Sequence, residues 1–79
     1  MTLKQQNFLD SLYAISESAE TAIRTNDVTA MRRLVAEYGA LRADFESDPA
    51  AHNESLSMFA DQLEHGLALI ERGWDTTVH

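Results

Sequence analysis

The residues able to do chemistry in this 79-residue chain are few and scattered. Histidine serves as a proton carrier near neutral pH or as a metal ligand. His52, His65 and His79 stand thirteen and fourteen residues apart, with no HxxxH or HxxH pair to bring two imidazoles onto one helical face. A metal needs several ligands converging on one point, so no metal site is expected. The absence of cysteine excludes a disulfide framework and any thiolate zinc site. No glycine-rich phosphate loop and no nucleophile-elbow motif occurs. Ser, His and Asp are present, but such common residues carry no signal without an arrangement. The expectation is a protein that is not an enzyme and uses no cofactor.

What is regular is the carboxylates. Asp61, Glu64, Glu71 and Asp75 follow three-four spacing, with Ala68 in the missing place. On a helix these side chains form one stripe, and aligned like charges repel by a few tenths of a kcal/mol per close pair. The stripe reads either as a solvated face or as an acidic surface that occupies a basic groove, imitating a phosphate track. Net charge is −7, and it is uneven: residues 47–79 hold six of the thirteen acids and one of the six Lys and Arg, namely Arg72. Direct binding to nucleic acid or to an anionic membrane is therefore disfavoured, and a basic protein surface is the natural counterpart.

These residues need elements to hold them. One Pro and three Gly interrupt the chain, and no alternating strand pattern lasts. Thr2 with Gln5 reads as a capping box. From there Phe8, Leu12, Ile15, Ala19 and Ala22 recur at steps of four and three, flanked by Leu9, Tyr13 and Ile23. Asn26 suits a left-handed turn and Asp27 suits an N-cap. A second stripe runs through Met31, Leu34, Tyr38, Leu41 and Phe45. Asp48-Pro49 then marks a boundary, with Pro at a first helical position, where its missing N–H costs nothing. The third stripe is Leu56, Ala60, Leu63, Leu67, Ile70 and Trp74.

The spacing predicts helices over about 3–24, 28–46 and 49–73, with the start of the third open between 49 and 55 and fraying after about residue 75. Short connections make neighbours antiparallel. The expected fold is all-α: one domain over 1–79, a small three-helix up-down-up antiparallel bundle. The alternative is a two-helix hairpin completed by dimerisation. The N-terminal stretch has no apolar run of signal-peptide length and no stretch could span a membrane, so a cytoplasmic location is expected.

Some residues fall outside the core stripes. Met58, Gln62, His65 and Leu69 point away from the third stripe, with Trp74 near its end. A Met and a Leu on an outer face are either tolerated surface residues or a docking patch in which Met adapts to the contact. Phe59, Gly66 and Gly73 form a column at the stripe's edge, where another backbone could come close or where Gly73 could end the helix in a Schellman cap. On the second helix Arg32, Ala36, Gly39, Ala40 and Ala43 make a small, smooth side. That side reflects helix propensity or forms a candidate homodimer face whose Arg32 and Arg33 meet the acidic helix of another copy.

In kind the chain is similar to the small acidic helical proteins with which phages and mobile elements block larger host machines. It is also similar to the small helical co-chaperones of secretion systems. The leading expectation is a non-enzymatic module that inhibits or chaperones a larger protein partner, one with a basic or apolar groove, by helix docking. Nucleic-acid mimicry through the acidic face and a structural homo-oligomer subunit are the alternatives.

Overall fold

Local signals set the first helix in place. The Thr2 hydroxyl accepts the Gln5 N–H at 3.2 Å while the Gln5 side-chain oxygen accepts the Thr2 N–H at 2.9 Å. Two backbone donors that a helix start leaves orphaned are thereby satisfied. The computed structural model, which describes the backbone of residues 1–77 and the side chains of residues 1–73, shows three helices: α1 (Leu3–Thr25), α2 (Val28–Glu46) and α3 (Glu54–Thr77). Asn26 closes α1 in the left-handed region, with φ 54°. Asp27 caps α2, its carboxylate accepting the Ala30 N–H at 3.0 Å. Both residues act as their types and positions predict.

The third helix starts later than residue 49. Asp48 accepts the Ala50 N–H at 3.1 Å, but the chain then makes only a single 3₁₀ turn, Pro49–Ala51. The reason lies in α1. The Gln5 amide donates to the Ala51 carbonyl at 3.0 Å and reaches the His52 carbonyl at 3.5 Å. Those oxygens would have to accept from residues one turn on if the helix continued. His52 instead adopts φ −54°, ψ 131°, and Asn53 starts α3 afresh by accepting the Leu56 N–H at 3.1 Å. At the other end α3 passes through Gly73, which has no positive φ, and continues beyond residue 75 to Thr77. Gly73 is therefore a helix-interior residue and not a Schellman cap. Trp74 is helical in backbone, while its side chain and residues 78 and 79 lie outside the described residues.

The helices alternate in direction. Phe8, near the start of α1, stacks on Phe45, near the end of α2, with ring centroids 4.0 Å apart and planes 5° from parallel. Along the α2–α3 seam, Phe45 lines one hollow with Ser57 while Val35, earlier on α2, lines another with Leu67 and Glu71, later on α3, so these two helices run antiparallel. Tyr13 meets Phe59 edge-on at 5.3 Å, and further along both helices Ile23 and Ile70 line one groove, so α3 runs parallel to α1. The chain is thus a three-helix up-down-up bundle without strands among the described residues.

Every α1 residue assigned to the core by spacing is buried: Phe8, Leu12, Ile15, Ala19 and Ala22. Met31, Tyr38 and Phe45 meet them from α2, and Leu56, Ala60 and Leu67 from α3. Because α3 contributes to the same cluster, the core closes within one chain and needs no second copy. Leu12 and Met31 are wholly inaccessible. Leu12→Ala should cost about 2–5 kcal/mol, a large share of the roughly 4–12 kcal/mol expected for a domain this size. Urea unfolding monitored by circular dichroism checks this, and a loss under about 1 kcal/mol would show that the centre of the bundle is loose.

Candidate protein-interaction surfaces

The acidic stripe lies along the edge of α3 that faces α2, and the structure changes its electrostatics. Arg42, one turn past Tyr38 on α2, places Nη1 2.6 Å from an Asp61 carboxylate oxygen and 3.6 Å from one of Glu64. Its Nε donates to Glu46 at 2.8 Å, and Nη1 donates to the Tyr38 hydroxyl at 3.0 Å. The hydroxyl in turn donates to the Ala60 carbonyl at 2.6 Å. One guanidinium thus ties three carboxylates and a phenol across the α2–α3 seam. Asp61 and Glu64 are brought together as expected, but under a shared cation. Glu71 is half-buried further along, and the Asp75 side chain lies outside the described residues.

Arg42 and Tyr38 form the cross-helix polar tie that spacing alone does not single out. The signal is present in Tyr38, Arg42 and Glu46 at steps of four, but their partners on α3 depend on how the helices pack. Burial pushes the Tyr38 hydroxyl above its ordinary range, with Arg42 opposing and Glu64 and Asp61 reinforcing the rise. Hydrogen bonds to Glu46 and Tyr38 push the Arg42 pKa upward, keeping the guanidinium charged. A phenol whose folded pKa is raised contributes stability that is present below the unfolded value and is lost as pH climbs through the folded one.

The outer side of α3 is as the spacing implies. Met58 is 58% exposed and Leu69 50%, and Gln62 and His65 beside them are exposed too. Beyond Gln62 this side runs into a groove between α1 and α3 of about 280 Å³, lined by Ser16, Ala19, Glu20 and Ile23 on one wall and by Gln62, Leu63, Gly66, Leu67 and Ile70 on the other. Tyr13 at 53% and Ile23 at 45% extend the exposed apolar surface onto α1. They flank the core stripe in sequence, and only the depth to which α3 seats on α1 decides that they stay open.

On α2 Arg32, Ala36, Gly39, Ala40 and Ala43 are all exposed. Gly39 borders a smaller hollow of about 200 Å³ with Val35, Glu64, Ala68 and Glu71. The small side of α2 therefore adjoins the acidic edge of α3 on one flank of the bundle, and α1 and the apolar side of α3 form another. A larger hollow of about 470 Å³ sits at the α2–α3 connection beside Phe45, Pro49 and His52. Its carboxylates are engaged, Glu46 by Arg42 and Asp48 by Lys4 at 3.4 Å. Among the described residues no three His, Asp or Glu side chains are grouped to hold a metal, and no helix is long and apolar enough to cross a membrane.

A Cβ added at Gly39, Gly66 or Gly73 would meet nothing within 4 Å. Among the described residues nothing requires Gly39 or Gly66, and each weakens its helix by up to about 1 kcal/mol relative to alanine. Gly39→Ala and Gly66→Ala should therefore each raise stability by up to about 1 kcal/mol, read as a later urea midpoint. A destabilised Gly66→Ala would mean the groove is closed in solution. Tyr38→Phe should cost about 0.5–1.5 kcal/mol near neutral pH. It should also abolish the part of the stability loss above about pH 10 that the phenol contributes, measured as the difference between native and variant midpoints across that range. No family model matches this chain, and no curated protein or solved structure shows significant similarity to it.

Proposed function

We propose that this chain is a small non-enzymatic protein-binding module that docks a helix of a larger cytoplasmic protein and so inhibits or chaperones it. The observation that carries the reading is the exposed apolar side of α3, Met58 and Leu69, continuous through Gln62 with the α1–α3 groove. Single exposed apolar residues are ordinary, whereas exposed apolar residues gathered around an apolar groove mark an interaction site. Covering side chains already half shielded yields only about 1 kcal/mol each, so binding depends on several of them acting together. Met58 suits such a surface because its unbranched thioether adapts to what it meets. Gln62 and His65 supply polar contacts at the margin, and Trp74 is retained as a further anchor because large aromatics dominate interface energetics.

Nucleic-acid mimicry by Asp61, Glu64, Glu71 and Asp75 is the weaker reading. Arg42 sits between two of the four carboxylates, so the stripe presents less net charge than its residue types suggest. A homo-oligomer built on Arg32, Ala36, Gly39, Ala40 and Ala43 competes poorly too, since two copies each carrying −7 repel one another.

Met58→Glu combined with Leu69→Glu should leave the helical circular dichroism and the unfolding midpoint nearly unchanged, because both side chains are exposed. It should abolish recovery of the partner when the tagged protein is cross-linked in its native cell and purified. Undiminished recovery by the double variant would remove this side of α3 from the interface.

A further inference from the structure

Resting on the protein-binding reading, we infer that the α1–α3 groove takes a basic amphipathic helix, laid over Gly66 with its cationic edge against α1. Two observations point to an approaching helix. The groove floor is apolar, with Ala19, Leu63, Leu67 and Ile70 supplying it and Ile23 standing at its edge. The space over Gly66 is open, and among the described residues no neighbour fills it. A glycine costs helix stability at that interior position, and its open side lets an incoming helix approach closely.

Charge supplies the orientation. The outer edge of α1 runs through Asp10, Tyr13, Glu17, Glu20 and Arg24 at three-four steps, all exposed. Three acids on that edge face one base, and Glu20 lines the groove itself. The opposite rim, on α3, runs through Met58, Gln62 and Leu69 with no acid among them, and the exposed Arg72 stands three residues past Leu69. A helix with an apolar stripe, Lys or Arg along one edge and apolar residues along the other satisfies both rims. An acidic helix would meet Glu17 and Glu20 head on, and a second copy of this chain would bring its own Asp10, Glu17 and Glu20 into a bundle already carrying −7. Opposed charge also raises the encounter rate and makes it sensitive to salt.

The probe is a side-chain-stapled Leu/Lys amphipathic helix about four turns long, compared with the same helix carrying Glu for Lys. Fluorescence anisotropy gives affinity, and amide chemical shifts of the labelled protein give location. The Leu/Lys helix should bind, more weakly as salt rises, and should shift Ser16, Ile23, Gly66 and Ile70. Gly66→Leu fills open space without disturbing the fold and should weaken binding by at least about tenfold. Glu17→Lys with Glu20→Lys should reverse the preference toward the Leu/Glu helix.

Four outcomes overturn the inference: no binding of the Leu/Lys helix, equal binding of both helices, affinity untouched by Gly66→Leu, or shifts confined to the Asp61–Glu64 edge. A concentration-dependent dimer of the protein alone, seen by sedimentation and dissolved by Gly66→Leu, would also overturn it and assign the groove to a second copy. Partner recovery that still depends on Met58 and Leu69 would, in any of these cases, leave the broader protein-binding reading intact.

Discussion

Among the described residues, Leu12 and Met31 are the two large side chains that water does not reach at all, and the bundle is built around them. Each helix offers a stripe about one side chain wide, and three such stripes can meet only along a line. A chain this short buries about 60% of the surface it exposes when unfolded. Small residues fill the narrow parts of that line, with Ala19 and Ala22 on α1, Ala51 in the turn and Ala60 on α3 all buried. The aromatic stack of Phe8 on Phe45 fills the wide end. With the core so thin, the remaining sides of each helix are available for something else. The distribution of residues on them carries the functional information.

Two polar ties set how α3 sits on the other helices. The Gln5 amide fixes the connection at one end of the bundle by taking the Ala51 carbonyl. The Tyr38 hydroxyl and Arg42 hold α3 partway along by its own backbone and carboxylates. Both ties are directional where apolar burial is not, so they fix the register and rotation of α3 against α2 and α1. Asp61 and Glu64 are more than half exposed, so their pairing with Arg42 adds little stability. Its effect is positional, since it turns the acidic edge toward α2 and thereby leaves Met58 and Leu69 facing away from α2.

Much of this is legible in the residues. Thr2 with Gln5, Asn26 and Asp27 act locally, and local signals survive into the fold because nothing distant competes with them. The core stripes are legible for the same reason, being set by helical periodicity. The start of the third helix is not, because Asp48-Pro49 is a sound start signal that a side chain forty-odd positions away interrupts. Spacing assigns Gln5 to the capping box, where its oxygen indeed serves, while its nitrogen bonds to the Ala51 carbonyl and, more distantly, to that of His52. Gly73 misleads because a glycine near the end of a pattern resembles a terminator, yet the helix continues through it. The exposure of Met58 and Leu69 comes directly from the stripe, whereas the groove beside them cannot be read from sequence, since it depends on the distance between α1 and α3.

On the proposed protein-binding reading, Gly66 is what distinguishes the α1–α3 groove from a surface that is merely tolerated. An exposed Met or Leu costs a folded protein little, so its presence alone is weak evidence. A glycine in the middle of a helix does cost, and at this position no close neighbour, no tight turn and no positive φ offsets the loss. In a domain with only a narrow core, alanine there would be the more stable choice. Gly39 meets the same description on α2, but it opens onto the small side next to the acidic edge. Gly66 opens into a groove with an apolar floor, a row of acids on one rim and exposed apolar residues on the other. The position where stability is forgone is thus the position where an approaching backbone would find both its apolar contacts and its opposite charge. That coincidence favours the groove over the α2 side as the docking surface of the proposed function.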